Sequence, residues 1–228
     1  MKFTLKDYQE EAVGEVLKQL KKGRRRWHEE QEKNSFSLTA TTGAGKTVMA
    51  AAVFEALFYG NDDHEFEADP GAVVIWFSDD PSLNEQSKWR LFQAADKLTV
   101  SDLITVENTF SRERFEPGKV YFLNTQKLGK KSLLVRGHDP DDEGLEKTAT
   151  GETLMPDLRA HTIWQTIQNT IEDPDLTLYL VLDEAHRGMR EGGNAGVQIG
   201  KGGFGIGEGL RFRARQPCRR PRAEIAGK

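Results

Sequence analysis

Cysteine is almost missing from this chain. Cys218 is the only one in 228 residues, which excludes a disulfide framework and leaves no Cys/His spacing for a structural metal. Long apolar runs are missing as well: no stretch approaches the roughly 18 residues of a membrane span, and the amino terminus lacks the apolar core of a secretory signal. A cytoplasmic protein without a membrane partner is the resulting expectation. The formal net charge is only −4, but it is unevenly spread. Residues 201–228 hold eight Lys or Arg against two acidic residues, a balance of +6, which leaves −10 for residues 1–200. Net acidity does not exclude a nucleic-acid partner, since local surfaces matter more than the total.

Against these absences, two short segments about 140 residues apart carry chemistry. The first is Ala40-Thr-Thr-Gly-Ala-Gly-Lys46-Thr47. Phe36 to Ala40 has β character and Val48 to Tyr59 is rich in Ala, Val, Phe and Leu at helical spacing, so a loop joining strand to helix is expected. Such a loop suits phosphate. Gly43 and Gly45 permit a tight turn, while the backbone of Thr42, Gly43, Ala44 and Gly45 and the following helix start supply N–H donors. Lys46 is expected to reach the β- and γ-phosphates of a nucleotide and Thr47 to hold Mg²⁺. The pattern G-x-x-x-x-G-K-[ST] begins with Gly, where this chain has Ala40. A turn that binds nothing is the alternative, but Lys-Thr directly after the last Gly has no turn-forming purpose.

The second segment is Leu182-Asp183-Glu184-Ala-His186, which ends the apolar run Leu176 to Leu182. A run of that kind suits a parallel strand buried on both faces, and open α/β sheets bind ligands at the carboxyl ends of their strands. Asp183 is expected to hold Mg²⁺ and Glu184 to polarise an attacking water. An ordinary solvated strand end is the alternative. His186 either couples nucleotide state to another domain or packs.

Taken together, these residues resemble the first RecA-like domain of a superfamily 2 helicase or translocase, in the DEAH-lettered group that includes motor subunits of type I and type III restriction enzymes. Leu5-Lys-Asp-Tyr8-Gln9 is similar to the Q-type motif, in which the Gln amide reads the adenine edge; a helix start capped by Asp7 is the plainer reading. Val73 to Ser78 followed by Pro81 to Gln86 is similar to motif Ia, and Val120 to Leu128, containing Asn124-Thr125-Gln126, to a later loop that also faces nucleic acid. The resemblance implies a three-layer α/β fold with a mostly parallel sheet and helices on both faces, and it implies ATP and Mg²⁺ as ligands. It also implies single- or double-stranded DNA as partner, a second RecA-like lobe, and restriction or modification subunits. A nucleotide-binding remnant without turnover and a regulatory P-loop NTPase are the alternatives.

The remaining segments organise the chain. Residues 7–32 are expected to be helical and to end near the basic run Lys21 to Arg26, which either lies near a phosphate backbone or is a solvated helix end. Asn61 to Gly71 reads as an acidic connection. Ser82 to Leu98 is expected to be a helix burying Leu83, Trp89, Leu91, Phe92, Ala95 and Leu98, and Thr162 to Ile171 another. Residues 129–153 read as a long insertion. Within it, Asp139 to Gly144 has the letters of a calcium loop, but Thr150 stands where a bidentate Glu is required.

Apolar periodicity disappears after about residue 195, which divides the chain into an ATP-binding domain at 1–195 and a Gly/Arg-rich tail at 196–228. Gly200-Lys-Gly202-Gly-Phe-Gly205 matches a dinucleotide fingerprint by letter, without the strand before or the helix after that it needs. A Ser-Ala-Thr type third motif and an arginine finger, both implied by the resemblance, do not follow the acidic motif. A basic tail poor in apolar residues is either a disordered nucleic-acid arm or the product of a shifted frame in a GC-rich gene. We expect the frameshift. Sequencing the downstream DNA should then reveal an open frame continuing the motor from near residue 195, and finding none would refute it.

Overall fold

The computed structural model describes residues 1–41, 43–129, 132–135 and 160–183. Helix α1 (Asp7–Glu30) precedes α2 (Lys46–Tyr59), strand β1 (Ala72–Ser78), α3 (Pro81–Ala94), β2 (Leu103–Thr105), β3 (Lys119–Asn124), α4 (Ile163–Glu172) and β4 (Thr177–Leu182). The strands form one parallel sheet in the order β2-β3-β1-β4. Val74 stands opposite both Val120 and Tyr179, which fixes the register at the centre.

β1 is apolar at every position before Ser78 and buried throughout. Alternate side chains therefore enter two separate cores. Val74 and Trp76 point into one, with Val120 and Phe122, beneath α1, α2 and α3. Val73, Ile75 and Phe77 enter the other, with Tyr121, Leu123 and Ile163 of α4. Helices thus cover both faces of a parallel sheet, as the resemblance implies.

Helix α2 is apolar on all sides because it is wedged among neighbours, with Met49, Ala51, Val53, Phe54, Ala56 and Leu57 all buried. Phe54 meets Trp76 edge-on at 6.0 Å. One carboxylate sits in this apolar helix. Glu55 accepts hydrogen bonds from the backbone N–H of Lys97, at 2.6 Å, and of Asp96, and it pairs with the Met1 ammonium at 2.7 Å. It thereby ties both the start of the chain and the exit of α3 to α2.

Polar groups also fix the start of β4. Asp69 accepts from the Gly71 N–H at 3.1 Å and from the Tyr179 hydroxyl at 2.7 Å. Burial and the adjacent Asp69 carboxylate push the Tyr179 hydroxyl far above the ordinary tyrosine range, so it stays a neutral donor. Gly71 lies so close to the turn before β4 that a Cβ there would stand 2.0 Å from the Asp175 carbonyl. Only glycine fits. On the other side of the sheet, Thr170 of α4 accepts from the Phe115 N–H at 3.0 Å and Tyr121 packs on Phe115 at 4.4 Å.

Four expectations need correction. No strand forms among the described residues at 36–40; Leu38 and Ala40 pack against the first core, but strand structure requires a ladder partner, and the sheet order includes none for this segment. Among the described residues β4 pairs with β1 alone, and it is half-buried along most of its length, with Leu182 60% exposed, so its apolar run does not signify burial on both faces. α3 ends at Ala94, before Leu98, and buries Leu91 with the small or polar Asn84, Ser87 and Ala94, while Trp89 is 58% exposed. Lys6, with extended backbone, is the N-cap of α1, and Asp7 begins the helix. Strand β2 follows a Thr99-capped turn and was not foreseen: three residues are too few to show a period.

Removing the Glu55 carboxylate leaves two partly buried backbone N–H groups and an ammonium without their acceptor. Glu55→Ala should therefore cost about 2–4 kcal/mol of stability, read as a lower urea midpoint.

Candidate nucleotide site

The phosphate-loop segment owes its shape to its two glycines and to the start of α1. Gly43 and Gly45 lie at φ 83° and 84°, and the Ala44 N–H donates to the Thr41 carbonyl at 3.1 Å. Gly45 is the residue before α2, whose first turn has no side-chain cap among the described residues. The leading N–H groups of a helix lack intrahelical partners, so this end favours an anion. Lys46 and Thr47 occupy that first turn, both half-buried.

Gln9, expected to read a base, turns out to touch the loop itself. Its Oε1 accepts from the Lys6 N–H at 3.0 Å, completing one half of a capping box. Its Nε2 donates to the Ala44 carbonyl at 2.9 Å. The Tyr8 hydroxyl donates to the same carbonyl at 3.1 Å. The sequence reading gave the segment Leu5 to Gln9 a role through its Gln alone, so the part played by Tyr8 was missed.

Asp183 stands at the carboxyl end of β4, where its N–H donates to the Phe77 carbonyl at 2.9 Å. It therefore emerges at the same sheet end as Ser78 and Asn124, the last residues of β1 and β3. Thr42, Glu184 and His186 lie outside the described residues, as do the calcium-like stretch, most of the 129–153 insertion and the whole of the 196–228 tail.

The two loops thought to face nucleic acid are tied to each other. Thr125 Oγ1 donates to Asp79 Oδ1 at 2.8 Å, and Gln126 Nε2 donates to the Asp79 carbonyl at 3.2 Å. Asp80 caps α3 by accepting from the Ser82 N–H, and Asn124 Oδ1 accepts from the Gln126 N–H, both at 2.8 Å. Beside them a cavity of about 170 Å³ is lined by Pro81, Glu85, Thr105, Glu107, Asn124 and Lys127. Lys127 pairs with Glu107 at 3.0 Å and donates to the Val106 carbonyl, while Lys88 donates to the Thr105 hydroxyl. These ammonium groups already have partners. Asp79 is the residue that sequence reasoning missed here, although an Asp-Asp pair at a strand end was a visible signal.

The basic run on α1 has a structural use. Lys21 donates to the Glu65 carbonyl at 3.2 Å and Arg24 to the Glu67 carbonyl at 3.1 Å, with the Arg24 guanidinium 5.2 Å from the Phe66 ring centre. These cations fasten the 61–67 connection, a use that neither earlier reading of the run included. No group of three or more metal-ligating side chains occurs among the described residues, and no described helix is long and apolar enough to cross a membrane.

A Cβ on Gly45 would stand 2.5 Å from Gln9 Nε2, on a backbone already in the left-handed region. Gly45→Ala should therefore lower stability by about 1–2 kcal/mol from backbone strain alone and displace Gln9. Thermal melting reads the first effect, and a change in the Gln9 side-chain amide resonance reads the second.

Comparison with known proteins agrees with this geometry in one respect and is silent in two. Neither a curated protein nor a solved structure gives a match. A family model described as type III restriction enzyme, res subunit, matches residues 2–201. The match spans both the loop against Gln9 and the strand end at Asp183, and on that evidence the chain belongs to the type III restriction enzyme res-subunit family, with a helicase-type RecA-like motor domain.

Proposed function

We propose that this chain is the ATP-binding motor lobe of an ATP-dependent DNA helicase or translocase of the restriction-subunit type. The observation that carries the reading is the contact of Tyr8 and Gln9 with Ala44, because it joins a base-reading amide to a phosphate loop. Left-handed glycines and an α2 start without a side-chain cap among the described residues fit a polyphosphate.

In this reading Gln9 hydrogen-bonds adenine, and the backbone N–H groups of Gly43, Gly45, Lys46 and Thr47 donate to the β- and γ-phosphate oxygens. Lys46 neutralises charge on them. Thr47 and Asp183 are the residues that would hold Mg²⁺, which when bound withdraws charge from the β- and γ-phosphates. Glu184 orients a water and takes its proton as the water oxygen bonds to the γ-phosphorus and the bond to the β-phosphate oxygen breaks, leaving ADP and phosphate. The loops at 79–82 and 124–128 are the proposed DNA-facing surface. Restriction or modification subunits would be the partners, and the cytoplasm the place of action.

A second reading, nucleotide binding without turnover, is favoured by the position of β4. Among the described residues, the strand that presents Asp183 has a neighbour on one side and is half-exposed, which would hold Asp183 less rigidly than a central strand does. An arginine supplied by a second lobe contributes about 10³–10⁵ in rate in related phosphoryl transfers. The 228-residue chain should therefore bind ATP weakly and hydrolyse it slowly, and Lys46→Ala should abolish the binding. Titration with a fluorescent ATP analogue and a phosphate-release assay check both. Unchanged binding by the variant would remove the phosphate-loop assignment, and strong DNA-stimulated hydrolysis by the chain alone would overturn the low-turnover expectation.

A further inference from the structure

The parallel sheet changes direction between β1 and β3. After β1 the chain crosses the face that α3 covers, with Leu91 in the first core, and after β3 it crosses the opposite face, with Leu134 and Ile163 in the second. Two adjacent strands that part in this way leave a crevice outside their carboxyl ends, and open α/β sheets bind ligands there. The cavity of about 170 Å³ lies at this end, bounded by the start of α3, the residues after β2 and the end of β3. No residue of the proposed nucleotide site lines it. Its volume is below the roughly 300–1,000 Å³ of drug-sized pockets, which suits a single heterocyclic ring rather than a nucleotide.

One donor in the lining is unmet. Asn124 is 3% exposed, and its Oδ1 accepts from the Gln126 N–H at 2.8 Å, which fixes the orientation of the amide. Its Nδ2 is buried and has no acceptor among the described residues, so a ligand that brings an acceptor relieves a standing cost. The same lining holds two carboxylates, which only accept: Glu85, bonded to the Thr105 hydroxyl at 2.9 Å, and Glu107, paired with Lys127 at 3.0 Å. An anionic ligand would meet these with like charge, and a cation would set donors against Asn124. A neutral ring that carries an acceptor beside donors satisfies both. Guanine presents this edge, O6 followed by N1–H and N2–H₂, whereas thymine has one N–H between two carbonyls and cytosine has two acceptors beside its amino group. We infer that the crevice between β1 and β3 takes the Watson–Crick edge of one unpaired guanine, with O6 on Asn124 Nδ2, the two N–H groups on a carboxylate, and the ring beside Phe122. The guanine is either a free nucleoside or a base of a strand held by the loops at 79–82 and 124–128, and the second source rests on the DNA-facing reading proposed above.

Nuclear magnetic resonance titration of the full chain with guanosine, inosine and adenosine tests the assignment, since none of these carries a phosphate for the loop before α2. Guanosine should bind saturably and move the Asn124 side-chain amide resonance. Inosine, which lacks the 2-amino group, should bind about tenfold or more weakly, the scale of one hydrogen bond to a charged group, and adenosine no tighter than inosine. Asn124→Asp keeps the oxygen that caps the Gln126 N–H and loses only the donor, so it should weaken guanosine by about tenfold or more. Guanosine no tighter than adenosine, or wild-type guanosine affinity in the folded variant, overturns the inference; if the variant does not fold, the wild-type series and the Asn124 resonance decide alone. Thymidine oligonucleotides of equal length with a single dG or a single deoxyinosine then identify the source. A preference for dG assigns the strand-borne base, and equal binding assigns the free nucleoside. A chain that binds guanosine but neither oligonucleotide loses the DNA-facing reading and keeps the guanine crevice.

Discussion

Two-sided burial of β1 is the constraint on which the rest depends. A strand with neighbours on both edges and apolar side chains on both faces cannot shift by one residue, because the slip would exchange Val74 and Trp76 with Val73 and Ile75 between differently shaped cores. Register is thus fixed at the centre. The neighbours inherit it: Asn124 ends level with Ser78, and Asp183 follows Leu182, which pairs with Phe77. Loops from three strands therefore leave the sheet at one end. The chemistry proposed for them begins with hydrophobic packing some residues away.

Carboxylates and hydroxyls then hold the connections that packing alone leaves loose. Glu55 gathers Met1, Asp96 and Lys97 onto α2, Asp69 joins the start of β1 to Tyr179, and Asp79 joins two loops at the carboxyl end. In each case a carboxylate oxygen accepts from a donor on a different segment of the chain. The Ala44 carbonyl reverses the pattern, as one backbone acceptor engaged by two side-chain donors. That reversal is what gives two residues of α1 influence over a loop about 35 positions away. Surface cations play a similar part. Lys21 and Arg24 are used on backbone carbonyls of the 61–67 connection, so a basic run in sequence need not be a basic patch in function.

Much of this was legible in the letters. β1 and β3 lie in the two segments likened to motif Ia and to the later loop, the body of α2 followed from its apolar helical spacing, and Thr162 proved to be the cap of α4. The glycine positions of the loop were equally readable, because φ near +84° at Gly45 leaves few alternatives. What failed has a common physical origin. The run at 36–40 and the apolar face of β4 both depend on which strand lies alongside, and a strand's own residues do not name its neighbour. Trp89 was misjudged because α3 packs through the small side chains of Ser87 and Ala94, allowing close approach on a face that hydrophobicity alone would not select.

The sequence by itself determined the chemical vocabulary: a phosphate-type loop, an acidic strand end, an amide-bearing helix start and a parallel sheet to carry them. These follow from residue type and local spacing, which act over a few positions. Tertiary structure alone decided the pairings. Only the packing of α1 against α2 brought Tyr8 and Gln9 to the Ala44 carbonyl, and only the sheet order set β4 beside β1. Contacts across such separations depend on how whole elements bury their faces together, a property that no short segment possesses.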